Sequence, residues 1–159
     1  MFASHNYGVM PDVITCAKGL GAGLPIGVCI VNEKLKDIFK PGMNGSTFGG
    51  NPMVCAGAVE VLNRIGSEAF LNDVVEKGEY YKLKLEEMEK VEFVRGKGLM
   101  IGVKLKNAEA HDVLVKCAEN GLLVLTAKDL IRFLPPLTIE KAEIDAGLKI
   151  FEKVLNEVG

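Results

Sequence analysis

The sequence predicts a mixed α/β fold laid out in two parts, residues 1–66 and 67–159. Three observations carry that reading. Near the start, two short apolar runs, Val13–Ala17 and Ile26–Val31, flank a loop of glycines ending in Pro25. In the middle, an almost wholly apolar helical stretch gives way at Ser67 to a long charged one. In the last third, β-like runs alternate with helical periodicity, the signature of a small α+β unit.

Taken in order, Val13–Ala17 is rich in β-branched residues and reads as a buried strand ending at Lys18. Gly19 to Pro25 is a loop, because three glycines and a proline suit no element interior. Ile26–Val31 reads as a second buried strand, and buried parallel strands need helices on both faces. Asn32 can cap a short helix, Glu33 to Phe39. Pro41 to Gly50 is a second loop, and Asn51-Pro52 supplies a cap and a first-turn proline for a helix reaching Ile65. That helix is apolar on nearly every side, the pattern of a segment enclosed by a larger protein.

Ser67 to Lys90 reads as charged helix. Val91–Val94 and Leu99–Leu105 read as strands, Ala108–Asn120 as an amphipathic helix stopped by Gly121, and Leu122–Leu125 and Leu130–Leu134 as strands. Ile144, Leu148, Phe151, Leu155 and Val158 are spaced 4-3-4-3, which predicts a core-facing terminal helix.

Composition narrows the function classes. The 159 residues are 48% hydrophobic and 25% charged, with mean hydropathy +0.22, which excludes intrinsic disorder. Nineteen basic residues against 21 acidic give net charge −2, so no basic field invites nucleic acid. No apolar run is long enough to span a bilayer, and the first residues lack a signal-peptide pattern. Cytoplasmic location is the expectation. Cys16, Cys29, Cys55 and Cys117 sit in apolar runs without a C-x-x-C pair and read as buried, reduced thiols. With only His5 and His111, far apart, neither a metal site nor a Ser-His-Asp hydrolase is supported.

Three places can carry chemistry. Lys18 follows an apolar strand and precedes Gly19. It is either a solvated strand end or a desolvated amine able to form a Schiff base. Gly45-Ser46-Thr47-Phe48-Gly49-Gly50-Asn51-Pro52 places two hydroxyls among glycines ahead of a helix N-terminus, which suits a phosphate; the alternative is a loop that only carries a cap. Arg132 lies in the apolar stretch Leu130 to Leu137, where its fork would bind a carboxylate or close a structural salt bridge. Arg95, between Val94 and Gly96, reads as a turn residue or an inter-domain contact. The glycine loop after Lys18 fits neither the dinucleotide nor the P-loop spacing.

Together, Asp12 to Gly27, Gly45 to Pro52, Arg95-Gly-Lys-Gly-Leu-Met100 and Arg132-Phe-Leu-Pro-Pro-Leu137 resemble the class III pyridoxal-phosphate aminotransferases, in order and over essentially the whole chain. The resemblance implies the fold of a type I pyridoxal-phosphate (PLP) transferase: residues 1–66 as the end of the large cofactor domain, 67–159 as the small domain. It implies Lys18 as the catalytic lysine that holds the cofactor as an aldimine. Thr47 would bind the cofactor phosphate, reaching across a homodimer interface, with Ser46 beside it. Arg132 would grip the substrate's α-carboxylate. The implied reaction moves an amino group from N-acetylornithine to 2-oxoglutarate, in arginine biosynthesis. Ornithine or succinylornithine is the alternative donor. An inactive remnant that only packs or dimerises is the further alternative. Family members are more than twice this length. Upstream they carry a first phosphate loop, an aromatic that stacks on the cofactor ring and an aspartate that pairs with the ring nitrogen. None of these is in the sequence, so the expectation is the C-terminal part of such an enzyme, binding cofactor weakly and not turning over.

Overall fold

The computed structural model describes residues 1–158. They form two compact units, Met1–Leu71 and Asn72–Gly159.

In the first unit, β1 (Val13–Ala17) pairs antiparallel with β2 (Gly27–Val31), from Val13↔Val31 to Ala17↔Gly27. The hairpin's far end is closed by Asp12, whose backbone carbonyl accepts from the Asn32 amide while its carboxylate accepts from the Asn32 side chain. Two expectations fail here. The strands are antiparallel, since a nine-residue loop is far too short for a parallel crossover. They are also not buried: exposed and half-buried residues alternate along β1. The helix expected over Glu33 to Phe39 is a single 3-10 turn, Glu33–Leu35, capped by Asn32. So short a helix needs packing to offset its nucleation cost, and Ile38 and Phe39 find none.

Helix α1 (Pro52–Ile65) forms as expected, with Asn51 Oδ1 accepting from the amides of Met53 and Val54. It packs against the 3-10 turn Lys18–Gly21 and the loop after it, where Leu24 meets Gly57 so closely that an added methyl group would lie 2.9 Å from Leu24 Cδ1. Yet Ala58 is its only fully buried side chain.

The second unit has the core. Helix α2 (Glu68–Glu86) runs across the division between the units. Strands β3 (Val91–Lys97), β4 (Met100–Leu105), β5 (Leu125–Ala127) and β6 (Leu130–Phe133) form an antiparallel sheet in the order β3-β4-β6-β5. Cross-strand partners share a face. Ile101 and Phe133 form one such pair, Val103 and Ile131 another. They meet α2, α3 (Ala110–Glu119) and α4 (Lys141–Val158) in one cluster with Tyr81, Leu85, Val113, Ile144, Leu148 and Phe151. The Phe133 ring lies 5.0 Å from Phe151 and 5.2 Å from Tyr81. The 4-3-4-3 spacing read from the sequence is the face of α4 that enters this cluster.

The strand expected at Leu122–Leu125 begins only at Leu125. Gly121 has φ +84°, its amide bonds Ala118 O, and the Leu122 amide returns to Cys117 O at 2.9 Å. Leu122 therefore belongs to the wrap that ends α3, in which the residue after the left-handed glycine is characteristically apolar.

Two of the four cysteines depart from expectation: Cys117 is buried and Cys16 half-buried, but Cys29 and Cys55 are exposed, and all four are free thiols. Burial pushes the Cys117 thiol up to about 11, so it is an inert core residue. Among the described residues no helix is long and apolar enough to cross a membrane.

Candidate active site

Lys18 ends β1 and opens the 3-10 turn, with φ +53°. A non-glycine side chain in the left-handed region costs on the order of 1 kcal/mol, and such residues gather at functional sites. Only Ala22 and Lys128 share this geometry among the described non-glycine residues. A glycine would sit there without strain, so the backbone pays for a side chain. The expected desolvation is not found: Lys18 is exposed, because the hairpin that carries it has little cover within its own unit.

Ser46, Thr47 and Phe48 lie in the loop before α1 and are all exposed. Ser46 and Phe48 line an open concavity of about 460 Å³ with Pro25, Ile26, Gly49, Asn51 and Cys55. The structure thus brings the loop after Lys18 against the hydroxyl loop, while Lys18 and Thr47 themselves lie outside that lining. The helix terminus offers less to an anion than the sequence implied. The amides of Met53 and Val54 are taken by Asn51, which leaves the loop hydroxyls and loop amides as donors.

Arg132 is in β6, opposite Gly102 of β4 and Leu125 of β5. Alternation puts it on the sheet face away from the core, since its neighbours Ile131 and Phe133 are both buried in the cluster. Its Nε is buried without a hydrogen-bond partner. A buried donor of a charged group left unmade costs roughly 1–3 kcal/mol or more. The structural salt bridge left open by the sequence is therefore not made: among the described residues no carboxylate pairs with this guanidinium. A ligand carboxylate would satisfy it.

Arg95, read from the sequence as a turn residue or an inter-domain contact, is not in a turn: it lies inside β3, opposite Gly102. The glycines that follow it suggested a turn, whereas the strand runs on through Gly96 to Lys97 and turns only at Gly98. The missed signal was position: both Arg95 and Arg132 have a β4 glycine as their partner.

These features define an amine on a strained backbone, a hydroxyl-bearing loop and an unanswered guanidinium: groups suited to a carbonyl, a phosphate and a carboxylate. The family model described as Aminotransferase class-III matches residues 1–155. The acetylornithine aminotransferase of Caldanaerobacter subterraneus subsp. tengcongensis is 43% identical over 163 residues, covering 99% of this chain and 41% of the relative. Among solved structures, acetylornithine aminotransferase from Elizabethkingia anophelis aligns with TM-score 0.87 and 32% identity, over 98% of this chain and 43% of that one. The ornithine aminotransferase of Plasmodium yoelii aligns with TM-score 0.85 and 35% identity, over 96% and 43%. The chain belongs to the class III aminotransferases, a pyridoxal-phosphate-dependent family of type I fold. It spans about two fifths of the length of the relatives it matches.

Proposed function

We propose that this chain carries the lysine, part of the phosphate site and the carboxylate arginine of an aminotransferase. Residues 1–66 would be the end of the large cofactor domain and 67–159 the small domain. The carrying observation is the left-handed Lys18 at the strand end, at the position where the family resemblance places the cofactor lysine. When bound, the cofactor supplies an electron sink for carbanion chemistry. The chain's own residues do the rest. Lys18 Nζ would be the amine that holds the cofactor, and would carry a proton to and from the substrate's Cα. Ser46 and Thr47 hydroxyls donate to phosphate oxygens. Thr47 stands exposed on its loop, as a group serving a homodimer partner's site would. Arg132 orients the substrate by its α-carboxylate, and its lone buried Nε supports that role.

N-acetylornithine is the proposed amino donor and 2-oxoglutarate the acceptor, in arginine biosynthesis in the cytoplasm. The acetylornithine relatives favour that donor; the similarity to ornithine aminotransferases keeps ornithine as the alternative. Because Lys18 is exposed, residues 1–159 tested by themselves should bind the cofactor weakly.

Borohydride reduction of the chain with pyridoxal phosphate, followed by mass mapping, tests the assignment. Adduct concentrated on Lys18 is expected. Labelling spread evenly over the sixteen lysines overturns it.

A second reading has its own observation. Phe48 is 82% exposed and Met53 70%, which suits a packing or dimerisation module. Concentration-dependent association on gel filtration, without selective adduct at Lys18, would favour that reading instead.

A further inference from the structure

Arg95, Gly102 and Arg132 stand in one row across β3, β4 and β6, so both arginine side chains rise from the same open face with a bare glycine between them. The two Cα positions are two strand spacings apart, roughly 10 Å. A long side chain on either strand covers much of that span. Arg95 already leans inward: its Cγ lies 3.8 Å from where a Gly102 side chain would begin. Leu130 Cδ1 closes the other side of that spot at 3.4 Å. The row is thus an apolar floor bracketed by two guanidinia.

Its charge is met by no direct ion pair among the described residues. One acidic group that feels Arg95, Asp129, bonds Lys104 at 2.7 Å. Its carboxyl is held low first by that bond, with Arg95 only the last of the contributing influences. Among the described residues neither Arg95 nor Arg132 has an ion pair. Arg95 is exposed and Arg132 half-buried, and an anion seated between the two would offset their mutual repulsion.

We infer that Arg95 is a second carboxylate-binding residue, which with Arg132 clamps the carboxylate of a small organic acid over Gly102. This rests on the reading of Arg132 given above and adds a residue to it. Two forks approaching from opposite strands fix the plane of the carboxylate, where one fork alone leaves rotation about its own axis. Arg95 makes no covalent step; it binds and orients.

Glutarate, an acid without an amine, is the probe, titrated into the full chain and followed by NMR at the Gly102 amide and the arginine Nε–H signals. The expected result is saturable shifts at Gly102 and at both arginines. Arg95→Gln should raise Kd at least fivefold and Arg95→Lys should recover part of the loss. Lys149→Gln, the same charge change on α4, should leave Kd within twofold. Gly102→Val, which fills the floor, should abolish the shifts at both Nε–H signals. If Arg132→Gln abolishes binding but Arg95→Gln leaves it within twofold, the clamp is overturned while the role of Arg132 stands. If Arg132→Gln has no effect, both fall. If Lys149→Gln weakens binding as much as Arg95→Gln, the effect is general charge and the clamp is again overturned.

Discussion

In the second unit Tyr81, Phe133 and Phe151 meet edge-on or tilted and none is more than 3% exposed; in the first, the bulky side chains Phe48 and Met53 stand in solvent and only Ala58 and Gly21 are buried. Both units are written in similarly apolar sequence. What differs is closure. Three helices and a four-stranded sheet can enclose each other's apolar faces, whereas one hairpin and one helix cannot. Apolar content therefore reports burial only when enough elements are present to provide it. The chemistry follows the same division: the proposed amine and hydroxyls belong to the open unit, the guanidinia to the closed one.

Substitutions can break that comparison. The largest contrast is expected from truncating one bulky apolar side chain in each unit. Phe151→Ala should cost about 3–5 kcal/mol of unfolding free energy and Met53→Ala less than about 0.5, measured by urea denaturation. Similar losses from both would mean that the first unit has a cooperative core after all.

Next comes backbone contact. A methyl group at Gly78 would lie 2.3 Å from the Gly98 carbonyl oxygen, where α2 crosses the β3–β4 turn. Gly78→Ala should cost roughly 2–3 kcal/mol, because backbone cannot yield as a side chain can. At Gly45, where nothing lies within 4 Å, alanine should be nearly neutral by the same measurement.

A smaller effect is expected in alkali. Burial pushes the Cys117 thiol from its ordinary 9.0 up to about 11, and pushes the Tyr81 phenol up as well. The folded state therefore holds protons that the unfolded chain releases. Stability from these groups is whole below pH 9 and is lost as pH rises toward 11, by roughly 1–2 kcal/mol. Cys117→Ala should flatten that slope in the second unit.

The smallest effect has the opposite sign. Lys18→Gly should relieve the left-handed strain and stabilise the first unit by up to about 1 kcal/mol, read as slower hydrogen exchange in β1 and β2. The same change should remove the selective cofactor adduct. Destabilisation instead would show that the lysine side chain, rather than chemistry, holds the turn.

These contrasts also explain which parts of the fold were legible. The face of α4 was readable because residues 3 and 4 apart meet one core. Asn51 and Pro52 announced α1 because capping is local chemistry. Leu122 was misread because an apolar residue after a left-handed glycine serves a helix wrap as well as a strand. The exposure of Lys18, β1 and β2 was misread because burial depends on neighbours distant in sequence. Of the candidate site, Lys18, Ser46, Thr47 and Arg132 were named from residue type and motif. Arg95 was read as a turn residue or an inter-domain contact, because its place in β3 is a property of register, which two glycines disguised.

The openness of residues 1–71 has a consequence for biosynthesis. Phe48, Met53, Val59 and Ile30 are exposed and have no enclosing partner within their own unit, so any state in which this unit stands alone presents them to other chains. Yield in a bacterial host should therefore be governed by chaperone capacity and growth temperature more than by the thermodynamic stability of the folded half.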